Sequence, residues 1–254
     1  MKEQRIGWGQ RLDKIMTPMF IAGVLFCVVA FVLSFTLAPL VLGAQVDTPA
    51  LIGGQMVTNK LLLSQKIFYF HMPVAVVSMA SLLFTAVYGA LFLRSRKRKH
   101  DIRAKVATEI ALVFVLMTMV SGELWERFEW GVWWTWEPRL TTYFILMLLV
   151  IGYFILRNAV GDPERRATYA AVFGIIAFID VPICFLITRL VPSGVHPVVF
   201  RTDSGLAPNM LVPLLIAMLG FCCIAFALYR YRLRTELLLA RTEEIKEQLE
   251  LEGA

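Results

Sequence analysis

The sequence is poor in charged residues and in the cysteine patterns that build small metal or disulfide sites. Only 17% of its 254 residues are Asp, Glu, Lys or Arg, compared with about 25% in soluble domains. It has four cysteines but no C-x-x-C pair and no C-x-x-C-H motif, so a disulfide framework, a zinc ribbon and covalent haem attachment are not expected. The sequence also lacks an internal repeat and a low-complexity linker, and we therefore expect a single domain over residues 1–254.

Apolar residues, in contrast, are abundant and occur in long blocks. They make up 58% of the chain, compared with about 45–50% in an average soluble domain. Six blocks approach the ~20 residues that cross a ~30 Å hydrocarbon core, and they lack the alternation of a β-barrel. The predicted fold is an all-α integral membrane protein, a bundle of six transmembrane helices. The expected spans are approximately 19–42, 67–93, 106–122, 141–156, 170–190 and 210–229.

The basic residues are distributed unevenly between the segments that connect these blocks. Of 25 Lys and Arg residues, 19 lie in the N-terminus, in residues 94–105 and 157–169, and in the C-terminus. Cytoplasmic segments carry such an excess, so both termini are predicted to be cytoplasmic, with residues 230–254 as a tail. The net charge of +6 thus indicates membrane topology and contact with membrane lipid, and no nucleic-acid partner is expected.

Five of the six tryptophans lie within twelve residues of the second outer segment, residues 123–140. An interfacial aromatic belt is the alternative reading, but it would spread over many span ends. The cluster therefore favours an aromatic platform for a large, flat, apolar ligand. One helical turn over residues 130–137 would place Trp130, Trp133 and Trp134 on one face, although Pro138 disfavours helical geometry at Glu137. The platform residues are Trp125, Trp130, Trp133, Trp134 and Trp136.

Two of the three histidines are predicted to meet at the outer face. His71 lies four residues into the second block, about 6 Å below its outer start, and His196 lies in the third outer loop, whereas His100 lies in a basic segment and is expected to be solvated. An ionisable residue within a span is a functional hypothesis by default, with a satisfied interfacial histidine as the alternative. Two imidazoles can fill both axial positions of a haem iron but make a poor zinc site.

Charged residues of the outer segments supply candidate contacts for haem propionates. Arg139 is one candidate, because a guanidinium binds carboxylates bidentately; positioning at lipid headgroups is the alternative. Glu137 is expected to orient Arg139 or to hold the second outer segment in place. We do not expect it to act as a general acid or base. Asp180, in the middle of the fifth block, is expected to face the bundle interior. The other arginine candidates are Arg127, Arg189 and Arg201.

Several motifs resemble a known family. The run Trp130–Thr142 resembles the tryptophan-rich signature of the haem-handling membrane proteins of cytochrome c maturation. Six spans and the short length are most similar to the haem exporter protein C family, CcmC. The segment Tyr69–Ala75 is similar to its first histidine motif, and His196 matches in order and spacing. Glu137 stands where the family usually has an aspartate.

This resemblance implies axial ligation of a non-covalent haem b at the periplasmic face of the bacterial inner membrane. It further implies presentation of haem to a periplasmic haem chaperone, beside ABC-type transporter subunits of the cytochrome c maturation complex. We expect a haem carrier without catalytic turnover; the alternatives are a membrane b-type cytochrome in quinone-linked electron transfer, or a solute transporter using Asp180. The axial ligands would be His71 and His196, and the other haem contacts Trp125, Trp130, Trp133, Trp134, Trp136, Glu137 and Arg139.

Overall fold

Six long helices account for the six apolar blocks. The computed structural model describes residues 8–38, 50–52, 55–57, 65–191, 206 and 208–252. Six helices in these ranges are long and apolar enough to span a bilayer, so the predicted helical bundle is confirmed. In chain order they are α1 (Trp8–Thr36), α2 (Phe68–Ser95), α3 (Arg98–Trp130), α4 (Pro138–Ala159), α5 (Pro163–Leu190) and α6 (Pro208–Glu252).

A short hairpin lies between α1 and α2. Strand β1 (Ala50–Ile52) pairs antiparallel with β2 (Gln55–Val57). A single 3-10 turn at Gln65–Ile67 then leads directly into α2. The apolar pattern predicted these residues only as part of an outer loop, so the two strands are an addition to the all-helical expectation.

The first span is shifted towards the N-terminus. Its helix covers Trp8–Thr36, whereas the apolar run predicts residues 19–42. The predicted end is wrong because Pro39 follows closely, and the residue before a proline is pushed out of helical geometry. Residues 39–42 of the prediction lie outside the described residues.

Two other helices extend furthest beyond their apolar runs. Helix α3 continues from Gly122 to Trp130, so the predicted loop over residues 123–140 begins as helix. Helix α6 continues unbroken to Glu252, through the predicted tail. Hydropathy finds only the part of a helix that matches the bilayer core, whereas backbone hydrogen bonding continues through the flanking charged turns.

The bundle has two chemically different ends. The connections α2–α3 and α4–α5 lie at one end of the bundle, which we call the basic end. Helix α2 starts and helix α3 terminates at the opposite end, which we call the site end. At the basic end, Arg157 of α4 binds Asp101 of α3 through two hydrogen bonds of 2.6 and 3.0 Å. Their side chains are only 9% and 15% exposed. This buried bidentate pair fixes α4 against α3.

Ion pairs also join the extension of α6 to α3. Arg232 binds Glu109 at 2.6 Å, and Lys105 binds Glu236 at 2.8 Å. Leu233, between these charges along α6, is buried. The first turns of the predicted tail therefore pack on α3, which explains why the helix does not end where the apolar run ends.

The sequence predicted the burial of Asp180 correctly but not that of His100. His100 is half-buried, and its ring stacks on Tyr88 with 6.4 Å between centroids, so the expectation of a solvated side chain is wrong. The reason is that the basic segment forms the first turn of α3, which packs on α2. Asp180 is 8% exposed and accepts a hydrogen bond from the Cys184 thiol at 3.5 Å, which confirms that it faces the interior.

Helix α1 is held mainly by α6. A Cβ atom added to Gly23 of α1 would lie 2.8 Å from the carbonyl oxygen of Gly220 in α6, and one added to Gly220 would lie 2.9 Å from the carbonyl oxygen of Gly23. Small residues allow such close approach of two membrane helices. Helix α1 packs extensively on α6 and only slightly on α2, so space remains between α1 and the α2–α3 hairpin.

Replacing Asp101 by Asn is expected to lower the free energy of unfolding by about 3–5 kcal/mol, because the Arg157 guanidinium would stay buried without its counter-charge. Denaturant unfolding in detergent measures the change. Glu243→Gln is the matched control: Glu243 pairs with Arg98 at 2.9 Å, but both side chains are more than half exposed, and the expected cost is about 0–1 kcal/mol. Equal destabilisation by both variants would contradict the prediction.

Candidate functional site

His71 lies in the first turn of α2 at the site end, close to the start of the span as the sequence predicted. The side chain is half-buried. Its Nδ1 atom lies 2.9 Å from Oγ of Ser121 on α3. The ring of Trp125, one turn further along α3, lies edge-to-face to the imidazole, with 5.8 Å between centroids. Two side chains of one neighbouring helix thus fix the position and rotation of the ring.

Gly122 provides the space that the imidazole occupies. A Cβ atom there would lie 3.2 Å from Cε1 of His71 and 3.7 Å from Nδ1. Glycine within a helix costs about 1 kcal/mol relative to alanine. Ser121 and Gly122 are not among the predicted site residues, although a glycine inside a helical pattern is a signal of close packing.

Aromatic and polar contacts hold the start of α2 against its neighbours. Phe68 packs edge-on against both Trp125 and Tyr69, at 6.4 and 5.4 Å between centroids. Lys66, in the preceding turn, donates a hydrogen bond of 2.9 Å to the carbonyl oxygen of Ala38 after the end of α1. His71 is therefore supported from α1 and α3 together.

The tryptophan-rich segment between α3 and α4 is not helical. Trp130 is the last helical residue of α3, and Gly131 follows at φ 76°, the left-handed conformation that glycine adopts without strain. The predicted helical turn over residues 130–137 is therefore wrong, and the tryptophans of this segment do not share a helical face. Glu137 is extended at φ −68° and ψ 142°, as the following Pro138 predicts.

The tryptophans of this segment divide into a packed one and two exposed ones. Trp134 is half-buried and lies edge-on to Phe144 of α4 at 5.7 Å and to Trp136 at 5.6 Å. Trp133 and Trp136 are 57% and 74% exposed. Trp125, in contrast, lies within α3 beside His71. The four tryptophans whose side chains are described thus form no single plane, but two large indoles face outward at the site end.

Arg127 connects α3 to this segment. Its guanidinium lies 5.6 Å from the centroid of the Trp133 ring and donates a hydrogen bond to the carbonyl oxygen of Gly131. The contact holds the exposed indole against the end of α3. The side chain of Trp130 lies outside the described part of the structure.

Glu137 forms the N-cap of α4. Its Oε2 atom accepts a hydrogen bond of 3.3 Å from the backbone N–H of Leu140, and the side chain is 8% exposed. Arg139, in the first turn of α4, is half-buried. Glu137 therefore holds the junction between the tryptophan-rich segment and α4.

The same motif begins α5 with a shorter acid. Asp162 precedes Pro163, as Glu137 precedes Pro138, and Oδ1 of Asp162 accepts from the N–H of Arg165 at 2.7 Å. Aspartate is among the preferred N-cap residues. The longer side chain of Glu137 makes the same contact less closely.

The second predicted ligand cannot be placed beside the first. His196 lies outside the described residues, and so does Arg201, so their proximity to His71 stays a prediction. Arg189 is described, and its guanidinium lies 5.4 Å from the centroid of the Phe185 ring on α5.

The chain is similar to proteins described as heme exporter protein C. The family model of that description matches residues 10–248. The heme exporter protein C of Paracoccus denitrificans is 29% identical over 175 residues, 68% of this chain and 73% of that protein. The one from Bradyrhizobium diazoefficiens is 32% identical over 189 residues, 71% and 70% of the two chains, and the one from Escherichia coli K12 is 27% identical over 176 residues, 69% and 71%.

Replacing Glu137 by Ala is expected to lower stability by about 0.5–2 kcal/mol, the usual cost of a lost N-cap, and to speed hydrogen exchange at the Leu140 amide. Glu137→Asp is expected to keep that amide protected, because aspartate caps α5 in the same motif. Hydrogen exchange followed by mass spectrometry measures the protection of the Leu140 amide in both variants. In the control Glu164→Ala, an exposed carboxylate that is not a cap is lost, and protection of Leu140 should not change. Unchanged protection in Glu137→Ala would rule out the capping role.

Proposed function

The chain belongs to the haem exporter protein C family, and on this premise we propose that it holds haem between His71 and His196 and presents it to a periplasmic haem chaperone. Membership makes it a haem-handling membrane protein of cytochrome c maturation, a transport and delivery component. Beyond family membership, we propose which two histidines bind haem, on which side of the membrane they hold it and which partners take part.

The observation that carries the proposal is the fixed imidazole of His71. A histidine that binds a metal through one ring nitrogen usually has its other nitrogen held by a hydrogen bond. Ser121 lies 2.9 Å from Nδ1 of His71, so haem iron would be bound through Nε2. The ring is already oriented by Trp125 and Gly122, and ligation would require little reordering.

The exposed indoles supply the second half of the site. Trp133 and Trp136 expose 57% and 74% of their surface at the site end, which is a large apolar area for side chains of a membrane-protein loop. Indole rings pack favourably on a flat aromatic ligand. In the proposal they contact the porphyrin, while Trp134 and Glu137 hold the segment in place.

Cations beside the indoles fit the acidic edge of haem. The Arg127 guanidinium lies over Trp133, and Arg139 lies in the first turn of α4. Each can bind a propionate through paired N–H groups. A haem bound this way is non-covalent, of the b type.

The site end is proposed to face the periplasm. The basic end and the two termini carry 19 of the 25 Lys and Arg residues, and such an excess is typical of the cytoplasmic side of the inner membrane. A haem held at the opposite end can be reached by a water-soluble chaperone. Transfer then requires only that the partner replaces one axial bond, without catalytic turnover. The proposal places ABC-type transporter subunits beside this protein.

The described histidines do not favour a b-type cytochrome with a haem between the helices. His71 begins α2, and His100 begins α3 at the basic end. At ~1.5 Å per residue the length of α2 separates them by roughly 36 Å. They lie too far apart to bind one iron.

Replacing His71 or His196 by Ala is expected to abolish the visible spectrum of bis-imidazole haem in the purified protein, because each substitution removes one axial bond. His100→Ala is the matched control and should leave the spectrum unchanged, since that ring stacks on Tyr88 at the other end. Absorption spectroscopy after haemin titration in detergent measures all three. A bis-imidazole spectrum that survives either site substitution would refute the ligand pair.

Replacing Gly122 by Val is expected to weaken haem binding while leaving both histidines in place. The added methyl groups would displace the His71 ring, and overpacking of this kind costs about 1–3 kcal/mol, or roughly ten- to a hundredfold in affinity. Haemin titration measures the change. Gly161→Val is the control, since a Cβ there meets no atom within 4 Å. Wild-type affinity in Gly122→Val would show that the imidazole position does not matter.

A further inference from the structure

An apolar cavity opens between α1 and the α2–α3 hairpin. Its volume is about 770 Å³, within the range of pockets that hold compact organic ligands. It exists because Gly23 and Gly220 draw α1 onto α6, so that α1 hardly contacts α2. Its walls include Phe31 of α1, Val120 of α3 and Phe221 of α6, and Phe31 and Val120 are more than 60% exposed. The cavity therefore opens sideways, towards the position of the lipid.

The polar groups of the cavity lie at the site end. Lys66 is 9% exposed, and it lines the cavity together with Tyr69, which is 4% exposed. The Lys66 ammonium carries three donors, of which one reaches the Ala38 carbonyl. The Tyr69 hydroxyl has no hydrogen-bond partner among the described residues. A buried cation and a buried donor at the end of an apolar space favour a ligand with an apolar body and an anionic edge.

The cavity borders residues that adjoin or hold His71. Ser121 lines the cavity, and its hydroxyl is the group that holds Nδ1 of His71. Tyr69 and Phe70 line it as well and directly precede His71 in α2. A ligand in the cavity is thus separated from the imidazole by the Ser121 side chain.

We propose that haem reaches His71 sideways from the bilayer through this cavity, with a propionate bound by Lys66 and Tyr69. This inference rests on the proposed function. Haem fits the cavity because its carboxylates sit on the edge of a compact apolar ring and match the buried ammonium. A phospholipid also carries an anion, its phosphate, and is the competing occupant that the experiment distinguishes.

The test follows haemin loading of the full-length protein in vesicles. Haemin is supplied dissolved in donor vesicles of neutral phospholipid, and formation of the bis-imidazole spectrum is followed in time. Val120→Trp, which fills the cavity, is expected to slow loading about tenfold or more, because association rates of related variants span roughly one to three decades. The final absorbance should equal that of the wild type.

Val113→Trp is the matched control. Val113 lies two turns from Val120 on the same face of α3, is similarly exposed at 48%, and does not line the cavity. Its loading rate should equal that of the wild type. A wild-type rate in Val120→Trp as well would overturn the lateral route.

Lys66→Gln provides a second measurement that does not depend on filling the cavity. Loss of the ammonium should slow loading several-fold, and Lys66→Arg should restore the wild-type rate. Equal rates in the wild type, Lys66→Gln and Lys66→Arg would overturn the role of Lys66.

The outcomes separate the route from the function. If the wild type never forms the bis-imidazole spectrum, the proposed function fails. If the wild type loads and the variants load at the same rate, only the route is refuted. Phospholipid that co-purifies with the wild type and is lost in Val120→Trp, with unchanged loading, would assign the cavity to lipid.

Discussion

The contact between Ser121 and His71 is the interaction on which the proposed site depends. An imidazole can bind a metal only if one nitrogen is directed at it, and the hydrogen bond of 2.9 Å to Nδ1 sets that direction. The contact requires α2 and α3 to lie close together, which Gly122 permits. Tight packing of one helical hairpin therefore converts an ordinary histidine near the membrane surface into an oriented one.

The two ends of the bundle are stabilised by different forces. At the basic end the buried Arg157–Asp101 pair and the Arg232–Glu109 pair tie three helices together. At the site end the described contacts are mostly aromatic packing and helix caps. Proteins place segments that must rearrange during binding where local stability is lower. A site that accepts and then releases a large ligand fits an end of this kind, while the ion pairs keep the bundle intact.

The sequence predicts the number of spans and the place of His71 near the start of α2, because an apolar run is a local property. It also predicts the extended backbone at Glu137 from the following proline. It does not predict how far α6 continues, because ion pairs between distant residues such as Arg232 and Glu109 stabilise those turns. It does not predict the continuation of α3 either, where Trp125 packs on Phe68 and His71 of α2. It missed Ser121 and the cavity for the same reason: both follow from which helices touch, and nothing in the local pattern gives that. The turn over residues 130–137 was wrong because Gly131 ends α3 in the left-handed conformation.

Taking a ligand from lipid and giving it to a soluble partner place opposite demands on one site. The first requires an apolar opening at the depth of the acyl chains, and the second requires exposure at the surface. In this fold the α2–α3 hairpin meets both demands, since the cavity borders Ser121 on one side and the exposed Trp133 follows the end of α3 on the other. His71 contacts both Ser121 and Trp125 of this hairpin. A ligand could then move from one surface to the other by a short displacement around a single fixed imidazole, so no helix would need to open across the membrane.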